Sequence, residues 1–164
     1  MENIQLIRCS REQDFTIAKS ITSDYMTWLN IDLSFQNTKK EYEEFSVMYS
    51  SPDGGYIYLK RGEEIAGGVA FRVFGPGICE MKRLFVYPHF QGLGFGKLLS
   101  ESIIQMAKGY GYKKMRLDTI EKLNNAIQIY KKLGFYEIEK YRENPDKTAK
   151  YMELSLDSID LKSF

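Results

Sequence analysis

The chain has 164 residues, 43% of them hydrophobic and 14% aromatic, which suits one domain with its own apolar core. Its 23 Lys and Arg stand against 22 Asp and Glu, a net charge of +1, which excludes a general electrostatic pull toward nucleic acid or an acidic membrane. Two cysteines (Cys9 and Cys79) and a single histidine (His89) match no metal-ligand or redox spacing, so no metal site, disulfide or His-based nucleophilic triad is expected. The opening residues lack a basic stretch followed by an apolar run, and no apolar segment approaches the ~20 residues that span a bilayer. The sequence therefore reads as a soluble cytoplasmic protein.

In chain order, Ile4 to Arg8 alternates as a short strand. Ser10 and Gln13 have capping-box spacing and predict a helix that buries Phe15, Ala18, Ile21 and Tyr25. Residues 30–37 read as a loop, and Thr38 with Glu41 predicts a short helix turning Tyr42, Phe45 and Met48 inward. Tyr56 to Leu59 and Ile65 to Phe74 flank a turn at Arg61-Gly62-Glu63, and Ile78 to Val86 forms a third strand stopped by Pro88. A helix is predicted from about Leu93 to Tyr110, a strand over Lys113 to Asp118, and a helix from Asn124 to Leu133 ended by Gly134. Phe135 to Tyr141 and Lys150 to Leu156 close the pattern as strands. The order β-α-α-β-β-β-α-β-α-β-β predicts a single α/β domain of the α+β type over residues 1–164. Its mixed sheet of about seven strands would carry helices on both faces.

The most informative segment runs from Arg83 to Leu99. An apolar strand ends, and Gly92, Gly94 and Gly96 open a helix. Glycine lets the backbone approach a bulky anion, and the unpaired N–H groups of the first helical turn point at it with the helix dipole behind them. This geometry predicts a phosphate or diphosphate site to which Lys97 adds a charge. The same glycines also suit a plain tight turn, so this segment alone leaves both readings open. A nucleotide P-loop would need Ser or Thr after Lys97, where Leu98 stands. A dinucleotide fingerprint would need Gly-x-Gly-x-x-Gly near the start of a parallel unit.

Gln91-Gly92-Leu93-Gly94-Phe95-Gly96 resembles the acetyl-coenzyme A loop of the GNAT superfamily of N-acetyltransferases, Gln/Arg-x-x-Gly-x-Gly/Ala. Leu84-Phe85-Val86 resembles the strand end that precedes it. Ala126-Ile127 to Tyr130, running on into Leu133-Gly134-Phe135, resembles the family's second motif. The resemblance covers residues 55–156, the implied cofactor-binding core, and residues 1–54 correspond to the variable part that shapes the acceptor site. It implies transfer of an acetyl group from acetyl-CoA to the amine of a small molecule or peptide by direct attack in a ternary complex. Homodimers are common in the family. A binding-only acyl-CoA sensor on the same fold is the alternative. The family's cofactor-contacting Asn is replaced by Leu123, and Asn124 and Asn125 are expected to point elsewhere.

Direct transfer requires a deprotonated amine, donors for the thioester oxygen and a proton for the departing thiolate. The resemblance makes Glu80 the candidate base, on a strand face shared with Lys82, Leu84 and Val86, with its pKa raised by partial burial. Tyr130 is the candidate acid. Leu84, Phe85, Val86, Gln91, Gly92, Leu93, Gly94, Phe95, Gly96, Lys97, Tyr130 and Lys132 are the implied cofactor contacts. The amides of Phe85 or Val86 would polarise the thioester where the sheet splays. Tyr25, Trp28 and Tyr141 are acceptor-site candidates, with Phe35, Arg142 and Asn144 as further ones.

Overall fold

A computed structural model of the chain describes residues 2–31 and 37–159. Phe35 lies outside the described residues. The elements in order are β1 (Ile4–Arg8), α1 (Glu12–Leu29), α2 (Thr38–Glu43), α3 (Phe45–Met48), β2 (Gly55–Arg61), β3 (Glu64–Gly75) and β4 (Ile78–Val86). Then follow α4 (Phe95–Gly109), β5 (Lys114–Thr119), α5 (Asn124–Leu133), β6 (Tyr136–Ile138) and β7 (Lys150–Ser155). The strands form one seven-stranded sheet in the order β1-β2-β3-β4-β5-β7-β6. Only the central β4–β5 pair is parallel. The mixed sheet read from the sequence is thus the one observed.

Apolar side chains on the two faces of the sheet form two cores. On one face α4 contributes Leu99, Ile103 and Ile104, which pack with Tyr130 of α5 and Met115 of β5. On the other, Ala18, Ile21 and Tyr25 of α1 pack with Phe45, Tyr49 and Phe85. The stripe expected along α1 is the one it buries. Its start differs from the capping box expected at Ser10 and Gln13. The Asp14 carboxylate accepts from the Ser10 N–H at 3.1 Å and the Arg11 N–H at 3.0 Å, and the helix begins at Glu12. The second predicted helix breaks at Glu44 into α2 and α3. Its buried face is Glu41, Phe45 and Tyr49 instead of Tyr42, Phe45 and Met48, because Glu41 meets a partner from the sheet.

That partner is Arg83, at the feature of β4 that positions the site. Gly68 pairs with Phe85 but Ala70 pairs with Lys82, so two steps along β3 face three along β4. The extra residue is a β-bulge at Arg83, which has φ +61°. A bulge reverses the in-and-out alternation beyond it. Cys79 and Met81 therefore share a core with Leu84 and Val86, while Phe85 turns to the α1 side. This corrects the expectation that Glu80, Lys82, Leu84 and Val86 share one face. Gly67 pairs with Val86 just beyond the bulge, and a Cβ there would overlap the Phe85 carbonyl oxygen.

The second positioning feature is a fork. β4 and β5 pair only at Ile78–Lys114, Cys79–Met115 and Glu80–Arg116. Beyond Glu80 the strands part, and the rest of each edge faces a gap between α1 and α5.

Candidate active site

A groove of about 620 Å³ runs from the fork along the start of α4 and the side of α5, within the usual size range of ligand pockets. Its floor is the β4 end (Leu84, Phe85, Val86), one wall is the glycine loop, and the other wall is α5 with Ile129 and Lys132. Gly92 (φ +83°) and Gly94 (φ +85°) are left-handed, so the helix starts at Phe95 and not near Leu93. A Cβ at either would meet no protein atom within 4 Å, so both open onto the groove. The first α4 amide to close on a helical carbonyl is that of Leu98, which donates to Gly94 O at 3.1 Å. The N–H groups of Phe95, Gly96 and Lys97 are the first-turn donors that an anion would meet.

Gln91 and Gly96 line the groove and also hold the backbone around it. Gly96 has Ile129 Cδ1 at 3.0 Å from a would-be Cβ, so it sets the closeness of α4 to α5. Gln91 donates from Nε2 to the Val86 carbonyl at 2.9 Å and braces the strand end. Leu93 is exposed and is not among the residues that line the groove. Lys97 and Lys132 both line it, Lys97 also lying 3.6 Å from Glu101. Asn124 and Asn125 line it too, contrary to the expectation that they point away. A 3₁₀ turn at Glu121–Leu123 leads directly into α5 at Asn124.

Strand alternation decides which β4 amide faces the gap. The Tyr87 N–H donates to Ala66 O at 2.9 Å, so Tyr87 and Phe85 present their peptide groups to β3. Val86 presents its own to the fork, where Gln91 already holds its carbonyl. Of the two expected donors, Val86 is the available one. The Phe85 ring instead packs against Tyr25 at 5.4 Å and Trp28 at 5.5 Å. Trp28, 40% exposed, lines the groove.

A second cavity of about 80 Å³ lies deeper in the fork and shares Leu84, Leu123 and Ala126 with the groove. Its polar lining comprises Tyr25, Lys82, Arg83, Asp118, Thr119, Tyr130 and Asn144. Arg83 is held by Glu41 through Nε at 3.1 Å and Nη2 at 2.7 Å, and Tyr49 donates to the same carboxylate at 2.6 Å. Burial would raise the Glu41 pKa, but Arg83 outweighs burial and holds it below the ordinary range. Burial, reinforced by Arg83, brings Lys82 down to about 7. Burial, with Tyr25 and Asp118 nearby, raises the Tyr130 phenol, which stays protonated at neutral pH. Tyr25 and Tyr130 both line this cavity. Lys82, Arg83, Asp118 and Thr119 were missed. The signal that could have found them is their position on the two strands that flank the gap.

Glu80 is fully buried and lines neither cavity. It lies 3.2 Å from Arg72, 3.9 Å from Lys82 and 2.6 Å from Arg142, and Tyr141 donates to it at 2.8 Å. Burial alone would raise its pKa, but Lys82, Arg142 and Arg72 hold it lowered. The expected rise toward neutrality is therefore corrected. A carboxylate so stabilised in its charged form is a poor proton acceptor. Tyr141 and Arg142 belong to this ionic cluster and not to the cavity wall, and Asn144 does line the cavity.

A splayed parallel pair, a glycine-opened helix N-terminus and a groove ending at a strand amide are the parts of a site for an extended anionic ligand. The pattern of the acetyltransferase (GNAT) family matches residues 22–135. An uncharacterized N-acetyltransferase of Schizosaccharomyces pombe is 37% identical over 156 residues, covering 94% of this chain and 96% of its own. Among solved structures, a GNAT acetyltransferase of Staphylococcus aureus superposes with a TM-score of 0.76 at 18% identity, covering 94% of this chain and 99% of its own. An acetyltransferase of Salmonella typhimurium, solved with its cofactor acetyl-CoA, superposes at 0.67 and 16% identity over 95% of each chain. The chain belongs to the GNAT acetyltransferase family and is an acyltransferase. No helix among the described residues is long and apolar enough to cross a membrane.

Proposed function

We propose that this enzyme binds acetyl-CoA along the groove and transfers the acetyl group directly to an amine seated in the small cavity. The observation that carries the reading is the meeting of the two cavities at Leu84, Leu123 and Ala126, in the gap that β4 and β5 leave open. The first-turn amides of α4 hold the diphosphate, with Lys97 and Lys132 lining the same groove. The Val86 N–H donates to the thioester oxygen as charge develops there. The acceptor's ammonium loses one proton to solvent before attack, and Tyr130, protonated at neutral pH, donates its proton to the departing sulfur and regains one from the acylated nitrogen. Tyr25, Leu29 and Ile31 line the acceptor cavity from the N-terminal part of the chain.

The test is thiol release by the wild type and Tyr130→Phe over an amine panel, with acetyl-CoA affinity followed by calorimetry. The proposal expects kcat to fall about 10²-fold or more with affinity within twofold. Saturable cofactor binding with no turnover of any amine would support a binding-only module instead.

A further inference from the structure

Building on that reading, we propose that Lys82 is the base of the reaction. Its side-chain amine, in the neutral form, takes the proton from the acceptor's ammonium and passes it to solvent. Lys82 lines the small cavity and is 4% exposed. Glu80, the base expected from the sequence, lines neither cavity. The two residues lie 3.9 Å apart. The nitrogen that can exchange a proton with a bound acceptor is therefore the one beside the buried carboxylate, and not the carboxylate itself.

The charged groups around Lys82 decide its form. Arg83 follows it on β4, Arg72 comes from β3, and Arg142 comes from the segment after β6. The carboxylates are Glu41 of α2, Glu80 of β4 and Asp118 of β5. Glu41 grips Arg83 through two nitrogens, while Glu80 is shared by Arg72 at 3.2 Å and Arg142 at 2.6 Å. The phenols nearest this set, Tyr25, Tyr49, Tyr130 and Tyr141, are raised by burial and stay neutral. With Lys82 neutral, Arg72, Arg83 and Arg142 balance Glu41, Glu80 and Asp118. With Lys82 charged, a largely buried site holds one cation in excess. A guanidinium does not give up its proton in a protein, so the relief falls on the lysine. Burial, then Arg83, brings Lys82 down to about 7 against the opposing pull of Glu80 and Asp118.

The proton balance follows. An alkylammonium, with an ordinary pKa near 10.4, has no lone pair with which to attack. One of its protons moves to Lys82 Nζ, and from there to solvent. The neutral amine then forms its bond to the thioester carbon as the carbon–sulfur bond breaks. The proton shed by the acylated nitrogen goes to Tyr130, which has given its own to the sulfur. A base whose pKa lies near the working pH both takes and releases a proton readily. Asp118, in the same lining, offers the arriving ammonium a counter-charge. Glu80 favours the charged form of Lys82, so loss of its charge would move the acidic limb of the rate profile to lower pH and leave its shape.

Nuclear magnetic resonance of the full chain, labelled with carbon-13 and nitrogen-15 lysine, reads the charge of each lysine side chain from about pH 5 to 11. The signal absent from Lys82→Met or Lys82→Arg identifies Lys82. Its midpoint is expected near 7, with the exposed lysines near 10.4. Over the amine panel, wild-type kcat/KM for the fastest acceptor should rise with pH and level off above about 7. Lys82→Met should lower it about 10²-fold at neutral pH, with acetyl-CoA affinity by calorimetry within twofold. Its profile should lose the plateau and keep rising toward the pKa of the amine. A Lys82 midpoint above about 9, or a methionine variant with the wild-type profile, overturns the proposal and leaves the transferase reading standing. If neither variant folds, the wild-type titration decides: a set of lysines that all titrate above about 9 overturns the proposal. Binding of acetyl-CoA with no amine acetylated would instead refute the transferase reading, and the base with it.

Discussion

Gly94→Asp separates the stability of the α4 start from its use as an anion site. Gly94 is the residue before the helix and has φ +85°, and a Cβ there meets no protein atom within 4 Å. A left-handed non-glycine residue costs about 1–2 kcal/mol. A carboxylate at the positive end of a helix returns about 0.3–1 kcal/mol. The fold should therefore lose about 1 kcal/mol, a melting shift of roughly 2–4 °C for a chain of this size. Binding should suffer far more if the diphosphate sits where we propose, because the new carboxylate projects into the groove. Two unit charges 4 Å apart at an effective dielectric near 20 repel by about 4 kcal/mol, close to a thousandfold in Kd. Calorimetric titration of coenzyme A into wild type and variant, with a melting curve for each, reads both quantities. A variant that keeps its fold and binds within threefold of wild type would refute the placement of the diphosphate at the first turn of α4.

Glu80→Gln tests the ionic cluster. Removing the charge leaves Arg72, Lys82 and Arg142 around a neutral side chain, and breaking such a buried group costs about 3–5 kcal/mol. The folded-state pKa of Glu80 is lowered, so its contribution is present above the ordinary carboxyl value of about 4.3 and is lost as pH falls through the folded value. Urea titrations should show a constant gap between wild type and variant from pH 7 to 5 that closes below about pH 4. The pH profile of kcat/KM should keep its shape, and a profile that loses its acidic limb would return Glu80 to the role of base. Gly67→Ala should destabilise the fold by about 1–3 kcal/mol because the new methyl overlaps the Phe85 carbonyl across the β3–β4 pair, and an unchanged melting temperature would contradict that packing.

Much of the fold was legible because local signals and burial agree. The α1 stripe at helical spacing, the Gly62 hairpin and the Gly134 helix end all occupy the places their chemistry suggests. That Gly92 and Gly94 line a groove and Tyr130 the cavity beside it was legible, because backbone freedom and motif spacing carry that information. The bulge was not, because it falls on Arg83, and an arginine at positive φ gives no sign in the sequence. The alternation of β4 was consequently carried through a point where it reverses. Glu80 was misread for a related reason. Tyr141 and Arg142, which help to fix its charge, lie 61 and 62 residues away in the chain and meet it only through the β5–β7 side of the sheet. Asp118 and Thr119 look like the ordinary end of a strand until the fork places them in the cavity lining.

A crystal structure of the full chain with coenzyme A bound would test the central claim most directly. The account predicts the diphosphate on the amides of Phe95, Gly96 and Lys97, the pantetheine along Leu84 and Val86 in the fork, and the sulfur beside the Tyr130 hydroxyl. Coenzyme bound elsewhere, or a fork that stays closed to it while the glycine loop makes no phosphate contact, would contradict it.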